Sequence, residues 1–246
     1  MFDRLFRRKK LSQPVDVSAL ATDMHSHLVP GIDDGSPDMK TSVELIREMS
    51  NLGYKKIITT PHIMIDFYKN TPEIIQKRLE GVREQLQRKK INIEIVGAAE
   101  YLIDDGFKIL LKENRVMTFS NKHVLVELSY FGVPPYLYDL SFDMQIKGYK
   151  IILAHPERYL FWHNDMNKYQ ELKDRGFLFQ LNITSLTGHY SEEVRKMAQK
   201  LIDANMIDLI GSDLHNFHYL NLLKKSLYEP YLDKLLQSGN IKNHLL

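Results

Sequence analysis

Residues 23–35 read Asp-Met-His-Ser-His-Leu-Val-Pro-Gly-Ile-Asp-Asp-Gly, and this stretch combines two histidines with acidic side chains. On an extended backbone His25 and His27 point to the same side, so that both imidazoles can bind one cation. The preceding residues 19–22 favour the start of a strand, and Gly-Ile-Asp-Asp-Gly favours a turn. The stretch therefore predicts half of a metal site at the junction of a strand and a loop. The alternative is that the two histidines are merely polar surface residues.

The rest of the chain alternates predicted strands with predicted helices. Short β-branched or apolar runs predict strands over residues 55–60, 91–99, 123–126, 149–154, 177–181 and 207–211. Helical spacing of apolar residues predicts helices over 39–52, 72–89, 104–112, 134–147, 165–175, 191–204 and from 219 onward, with a break at Pro230. This order predicts an α/β domain with a parallel sheet, and about seven β/α units favour a barrel related to the eight-unit form.

Candidate metal ligands directly follow the carboxyl ends of the predicted strands. In a parallel barrel these ends all lie at the same mouth of the barrel. The candidate ligands are His25, His27, His62, Glu100, Glu127, His155, Asp213 and His215. Taken singly, each is more often a surface histidine or a helix-capping carboxylate, but chance explains the whole set poorly. Asp34 is the best candidate to reach a neighbouring metal from the first loop, and Asp33 is the competing choice.

The chemistry of this set limits what it can bind. Four or five imidazoles with several carboxylates exceed the ligands of one zinc ion, which predicts two or three divalent metal ions bridged by carboxylates. Nitrogen and oxygen ligands without sulfur suit zinc, manganese or iron, and suit magnesium less well. Arg158 follows closely on His155 and is suited to clamp a phosphoryl group, with a salt bridge at the rim as the alternative.

The composition excludes several classes of protein. The 246 residues include no cysteine, which rules out disulfides, thiolate zinc sites and a cysteine nucleophile. The net charge of +2 is too small to imply a nucleic acid partner. The apolar runs are too short for a transmembrane helix or a secretory signal, which makes the cytoplasm the default location.

The sequence divides into a basic N-terminal extension, residues 1–18, and a single domain over residues 19–246. The extension mixes Phe2, Leu5 and Phe6 with arginines and lysines. Such an amphipathic segment can make a peripheral contact with an anionic membrane surface, although a solvated tail is the more common outcome.

Several short motifs occur in order between residues 23 and 216: DMHSH, GIDDG, TPH, GAAE, VELS, AHPER and GSDLHN. Together they resemble the polymerase and histidinol phosphatase (PHP) superfamily, and more closely its bacterial tyrosine phosphatases of capsular and exopolysaccharide loci. The resemblance implies the PHP fold, a distorted (β/α)7 TIM-like barrel, with a trinuclear metal centre. It also implies hydrolysis of phosphotyrosine by a metal-activated hydroxide.

The resemblance further implies how the ligands are shared. The first metal would be held by His25, His27, Glu100 and Asp213. Glu100 would bridge to a second metal, which is held also by Glu127 and His155. The third metal would be held by Asp34, His62 and His215, and Arg158 would bind the phosphoryl oxygens.

The implied substrate is a membrane-associated bacterial tyrosine kinase of the polysaccharide export system. The alternatives are a small-molecule phosphatase of the histidinol-phosphatase type and an inactive metal-binding interaction module. The family often carries a second arginine shortly after the last histidine, where this sequence reads Asn-Phe-His-Tyr, so that His218 is the candidate replacement for substrate binding. Four tyrosines are candidates to stack on an incoming tyrosine, with packing as the alternative: Tyr68, Tyr101, Tyr136 and Tyr138.

Overall fold

The computed structural model describes residues 10–246, in which short strands alternate with helices. The strands are β1 Thr22–Asp23, β2 Lys56–Thr59, β3 His62–Ile63, β4 Glu94–Gly97, β5 Glu100–Leu102, β6 His123–Glu127, β7 Lys150–Ala154, β8 Leu178–Asn182 and β9 Leu209–Gly211. The helices are α1 Met39–Asn51, α2 Pro72–Arg88, α3 Asp105–Lys112, α4 Leu137–Ile146, α5 Met166–Asp174, α6 Glu192–Asp203, α7 Phe217–Ser226 and α8 Pro230–Gln237. The predicted alternation and the break at Pro230 are confirmed.

All strand pairs are parallel, and they form two sheets. One sheet has the order β1-β2-β4, and the other has the order β3-β5-β6-β7-β8-β9. The first and last strands approach each other through an isolated bridge between Ser26 and Leu214. The backbone N–H of His27 donates to the Leu214 carbonyl at 2.9 Å, and that of Asp213 donates to the His25 carbonyl at 2.8 Å. The strands thus form a distorted barrel without one continuous closed ladder.

Three details of the predicted strands are wrong. Residues Ser18–Leu20 form a 3₁₀ turn, and the strand that follows has only two residues. The predicted strand over 91–99 shortens to β4. His62 and Glu100, which follow the ends of β2 and β4 by three residues, also open two short strands that the sequence did not predict, β3 and β5. Pro61 lies between β2 and β3 and has no N–H to donate, so the chain leaves the first sheet there and pairs again in the second.

The strands bury both faces. A small apolar group fills the interior of the barrel with side chains from the strands and from residues directly after them: Met24, Ile58, Ala98, Leu125, Ile152, Ala154 and Leu209. A larger apolar layer lies between the outer strand faces and the helices. Because apolar residues fill the interior below, the polar side chains at the carboxyl ends of the strands lie together at one mouth.

The described part of the predicted N-terminal extension packs on the domain. The backbone N–H groups of Leu11 and Val15 donate to the carbonyls of Tyr228 and Leu227, and Val17 is buried. Residues 1–9, which carry most of the basic and apolar residues of the extension, lie outside the described residues. Between residues 10 and 246, no helix combines the length and the apolarity that crossing a membrane requires.

Candidate metal centre

An inner cluster is formed by His25, His27, Glu100 and Asp213. The Nε2 atom of His25 lies 3.1 Å from Glu100 Oε2 and 3.3 Å from Asp213 Oδ1. The Nε2 atom of His27 lies 3.3 Å and 3.4 Å from the same two oxygens. Four donor atoms from separate parts of the chain therefore face one small volume, and all four residues are buried.

A middle cluster is formed by Glu100, Glu127 and His155. The Nε2 atom of His155 lies 3.1 Å from Glu100 Oε1 and 3.8 Å from Glu127 Oε2. Glu100 thus offers Oε2 to the inner cluster and Oε1 to His155. This position is the one expected of a carboxylate that bridges two cations.

An outer cluster is formed by Asp34, His62 and His215. Asp34 Oδ1 lies 3.7 Å from His62 Nε2 and 3.5 Å from His215 Nε2. His62 also turns its Nδ1 atom toward the middle cluster, 3.2 Å from Glu127 Oε1 and 3.3 Å from Glu100 Oε2. The family pattern implied His62 for the outer cluster alone, whereas the structure places the ring between the two clusters.

Hydrogen bonds at the far side of three rings orient them toward these clusters. His25 Nδ1 lies 2.8 Å from Gln180 Oε1, and His27 Nδ1 lies 2.8 Å from Asp33 Oδ2. His215 Nδ1 lies 2.8 Å from the backbone oxygen of Asp213. An acceptor at Nδ1 places the ring proton there and leaves the Nε2 lone pair for a metal. The structure therefore separates the two neighbouring acids: Asp33 positions His27, and Asp34 faces the outer cluster.

The backbone at the mouth adopts conformations that only the surrounding fold can impose. His155 and Asp213 have φ values of 34° and 50°, in the left-handed region that non-glycine residues seldom occupy. At Gly35 a Cβ atom would lie 2.2 Å from the backbone oxygen of His27. Only glycine therefore fits where the first loop folds back on the ligand histidines.

The charges within the centre compensate one another. Burial raises the pKa of Glu100, but the imidazoles of His25 and His62 hold it well below the usual value. Burial likewise raises the pKa of Asp213, and His25 and His215 lower it well below the usual value. Burial lowers the pKa of His25, but the charges of Glu100 and Asp213 raise it to about 9. Neighbouring imidazoles thus favour the ionised forms of Glu100 and Asp213.

A cavity of about 300 Å³ opens on the three clusters, and Arg158 lines it. Arg158 Nη1 donates to Asp213 Oδ2 at 3.2 Å. The guanidinium carbon lies 4.1 Å from the ring centroid of Tyr190 and 4.9 Å from that of Tyr130. The partner acid is thus a buried member of the inner cluster rather than an acid on the rim. Two aromatic faces hold the cation beside the ligands.

Some residues that the sequence analysis placed at the mouth lie outside the cavity lining. His218 lies on the exposed first turn of α7, outside the cavity lining, and its ring centroid is 5.4 Å from that of His189. Tyr101 is buried in the core, where its hydroxyl accepts the Met117 N–H at 2.7 Å. Of the four tyrosines expected at the rim, only Tyr68 lines the cavity.

The other two expected tyrosines contact cations away from the cavity. The ring of Tyr136 lies under Lys108, and that of Tyr138 lies under Arg175. Tyr130, Tyr190 and Tyr219 also lie near the candidate ligands, and the sequence analysis did not single them out. Tyr130 and Tyr190 lie in loops and Tyr219 lies on the first turn of α7, outside the motifs, so only the aromatic residue type was available to identify them.

The donor set fits divalent metal ions. The ligand atoms of three groups of residues lie within 4.8 Å of one another: His27, Asp34, His62 and His215; His25, His27 and Glu100; His62, Glu100 and Glu127. Two buried atoms that face each other, His62 Nδ1 and Glu127 Oε1, have no hydrogen-bond partner among the described residues. Nitrogen and oxygen donors in this arrangement match the preferences of zinc, manganese and iron.

Comparison with known proteins identifies the family. A family described as capsular polysaccharide synthesis, CpsB/CapC, matches residues 21–224. The chain belongs to the CpsB/CapC family. The resemblance to capsular tyrosine phosphatases that the motifs indicate is therefore confirmed.

Members of the CpsB/CapC family resemble the chain over most of its length. Tyrosine-protein phosphatase YwqE of Bacillus subtilis (strain 168) is 29% identical over 208 residues, which cover 84% of this chain and 82% of that protein. The putative tyrosine-protein phosphatase CapC of Staphylococcus aureus is 27% identical over 228 residues, 89% of each chain.

A solved structure of the same family shares the fold. It is one of the crystal structures of YwqE from Bacillus subtilis and CpsB from Streptococcus pneumoniae. These two proteins are described as unique metal-dependent tyrosine phosphatases. The TM-score is 0.79 at 27% identity, and the match covers 90% of this chain and 89% of that one. The predicted α/β barrel class is confirmed.

Proposed function

We propose that the protein is a metal-dependent protein-tyrosine phosphatase of the capsular polysaccharide system. One observation carries the proposal: side chains from three adjoining clusters of candidate ligands line the same cavity as Arg158. The relatives named tyrosine-protein phosphatases support the choice of phosphotyrosine as substrate. The absence of cysteine agrees, because a cysteinyl-phosphate mechanism is excluded.

The proposed cofactors are two or three divalent ions of manganese, iron or zinc. His25, His27, Glu100 and Asp213 would hold one ion in the inner cluster. Glu127 and His155 would share Glu100 in the middle cluster, and Asp34, His62 and His215 would form the outer site. When bound, such ions activate water and neutralise charge on phosphoryl oxygens.

The side chains of the cavity would bind and orient the substrate. Arg158 would hold phosphoryl oxygens with the guanidinium N–H groups that do not bond Asp213. Tyr68, Tyr130 and Tyr219 line the cavity and offer ring faces to the substrate tyrosine. Hydrolysis forms a bond from a water oxygen to phosphorus and breaks the bond to the tyrosyl oxygen, which yields inorganic phosphate and a tyrosine hydroxyl.

We further propose the cellular setting. The catalytic domain would span residues 19–246, act in the cytoplasm, and dephosphorylate a membrane-associated tyrosine kinase of polysaccharide export. The basic residues of the extension over 1–18 would contact the membrane next to that kinase. Deletion of residues 1–9 should reduce co-sedimentation with vesicles that contain phosphatidylserine, and unchanged co-sedimentation would contradict the membrane contact.

The deciding experiment compares substrates for protein whose metal content has been measured. Hydrolysis of a phosphotyrosyl peptide should exceed that of histidinol phosphate and should stop when a chelator is added. A preference for histidinol phosphate would favour the small-molecule alternative, and the lack of chelator-sensitive turnover with either substrate would favour an inactive binding module.

The role of Arg158 can be tested with a matched control. Arg158→Ala should lower turnover by about 10³-fold or more, with metal content unchanged, because it removes the cation beside the phosphoryl group. Arg175 has the same distance to a tyrosine ring, 4.1 Å to Tyr138, outside the cavity lining. Arg175→Ala should therefore leave turnover unchanged.

A further inference from the structure

A second depression, of about 320 Å³, adjoins the cavity. We call it the flanking groove, and its apolar lining consists of Ile63, Met64, Ile65, Phe107, Ile109 and Leu110. Polar residues, among them Lys69 and Glu113, complete its border. The groove is therefore an apolar surface with polar edges, unlike the polar cavity beside it.

The flanking groove borders the cavity across Met64. Met64 lines both depressions, because it follows β3 directly after His62 and Ile63. His62 and Phe67 line the cavity, while Ile63 and Ile65 line the groove. The short segment over residues 62–67 thus lies between the polar cavity and the apolar flanking groove.

Hydrogen bonds hold this segment in place. The backbone N–H of Met64 donates to the Tyr68 carbonyl at 2.9 Å, and that of Ile65 donates to Asp104 Oδ2 at 2.9 Å. Asn70 Nδ2 donates to the His62 carbonyl at 2.8 Å. Asp104 also caps α3, since its Oδ1 accepts the Phe107 N–H at 2.8 Å. Both walls of the groove are therefore formed before any ligand binds.

The apolar rim of the groove is open to solvent. Ile65 is 43% exposed and Ile109 is 52% exposed, and Phe67 at the edge of the cavity is 76% exposed. Large apolar side chains that remain exposed next to a catalytic cavity are typical of an interaction site. Two cations, Lys69 and Arg115, lie at the border, and Arg115 is paired with Glu73 and Glu113. The open part of the groove consists of apolar side chains and favours an uncharged apolar group.

We propose that the flanking groove binds a bulky apolar side chain close to the phosphotyrosine in the same polypeptide substrate. The proposal rests on the phosphatase function, because it assumes that the phosphotyrosine occupies the cavity. Since Met64 borders both depressions, one extended peptide can fill them together. A small phosphate ester would occupy the cavity alone and gain nothing from the groove.

The test compares three substrates on the full-length, metal-loaded protein. They are a phosphotyrosyl peptide with leucine near the phosphotyrosine, the same peptide with serine in place of leucine, and p-nitrophenyl phosphate. The leucine should be moved through the positions on both sides of the phosphotyrosine. At its best position it should lower KM about tenfold relative to serine, because the groove buries its side chain.

Ile109→Glu should abolish this preference. We expect KM for the leucine peptide to rise about tenfold, to the value of the serine peptide. The serine peptide and p-nitrophenyl phosphate should keep their KM and kcat values. Ile146→Glu is the matched control, since Ile146 is 69% exposed on α4 and lines neither depression. Ile109→Ser serves the same purpose if the glutamate variant does not fold.

Several outcomes would overturn the groove proposal while the phosphatase function stands. One such outcome is equal KM values for the two peptides, and another is an equal effect of Ile109→Glu on all three substrates. A third is a change in the sedimentation coefficient of the Ile109→Glu variant, which would show that a second copy of the chain covers the groove. If the protein hydrolyses none of the substrates, the phosphatase function fails. Anisotropy of a fluorescein-labelled leucine peptide, with and without Ile109→Glu, then decides whether the groove binds it.

Discussion

The inner and outer clusters hold chemically similar ligands in different ways. The inner side chains are at most 4% exposed, and their donor atoms lie 3.1–3.4 Å apart. In the outer cluster the Asp34 side chain is 53% exposed, and its oxygen lies 3.5 Å and 3.7 Å from the two imidazoles. The donor atoms of the inner cluster are therefore buried and close together, whereas those of the outer cluster are more exposed and farther apart.

The difference follows from what supports each ligand. His25 and His27 are oriented by Gln180 and Asp33, and the carboxylates come from short strands or directly follow them. Asp34 lies on the turn that ends in Gly35 and presents its carboxylate to solvent. We expect the inner cluster to bind an ion tightly and the outer cluster to exchange its ion more readily.

The largest effect should come from the residue that joins the inner and middle clusters. Glu100→Gln removes a charge that both clusters share, so metal content should fall and aryl phosphate turnover should drop by about 10³-fold or more. Metal analysis and p-nitrophenyl phosphate hydrolysis measure the two effects. Glu94→Gln, whose side chain is 60% exposed on β4, is the control. Unchanged metal content in Glu100→Gln would contradict the shared position.

A smaller effect is expected at the outer cluster. Asp34→Asn should lose the most readily exchanged ion and retain the others, and turnover should fall by roughly 10²-fold. Metal analysis after dialysis against a weak chelator measures the loss, and Asp105→Asn on the exposed start of α3 is the control. If Asp34→Asn lost every ion at once, the two clusters would not differ as proposed.

A positioning effect is expected at the neighbouring acid. Asp33→Asn weakens the hydrogen bond that orients His27, and we expect metal affinity of the inner cluster to fall by about tenfold. Competition with a chromogenic chelator measures this affinity without relying on turnover. A loss confined to the outer ion would show that Asp33 acts as an outer ligand instead.

The smallest effect concerns the aromatic support of Arg158. Tyr190→Leu removes a ring face at 4.1 Å from the guanidinium carbon, and KM should rise about two- to fivefold with metal content unchanged. Tyr190→Phe keeps the ring and should have a weaker effect. Tyr138→Leu removes an equivalent contact at Arg175 and is the control. An effect on kcat alone would contradict a role in binding the phosphoryl group.

The candidate ligand residues could be proposed from the sequence because their spacing is local. The pair His25 and His27 needs only an extended backbone, and the later motifs all follow or begin short strands. The aromatic contacts were less predictable. Successive side chains of β5 point to opposite faces, so Glu100 points toward the candidate metal centre and Tyr101 points into the apolar core. The ring centroid of Tyr101 lies 5.0 Å from that of Phe107. Helix α7 begins at Phe217 with Asn216 as its cap, which leaves His218 exposed.

The sequence by itself determined the class of fold and the exclusion of cysteine chemistry, and it indicated the chemical types of the candidate ligands, because these depend on composition and on short spacings. The tertiary structure decided how these side chains are grouped. The register of β3 and β5 pairs His62 with Glu100, and that of β5 and β6 pairs Leu102 with Glu127. Strand register depends on contacts between distant segments, so only the folded chain places Glu100 between two clusters and separates the roles of Asp33 and Asp34.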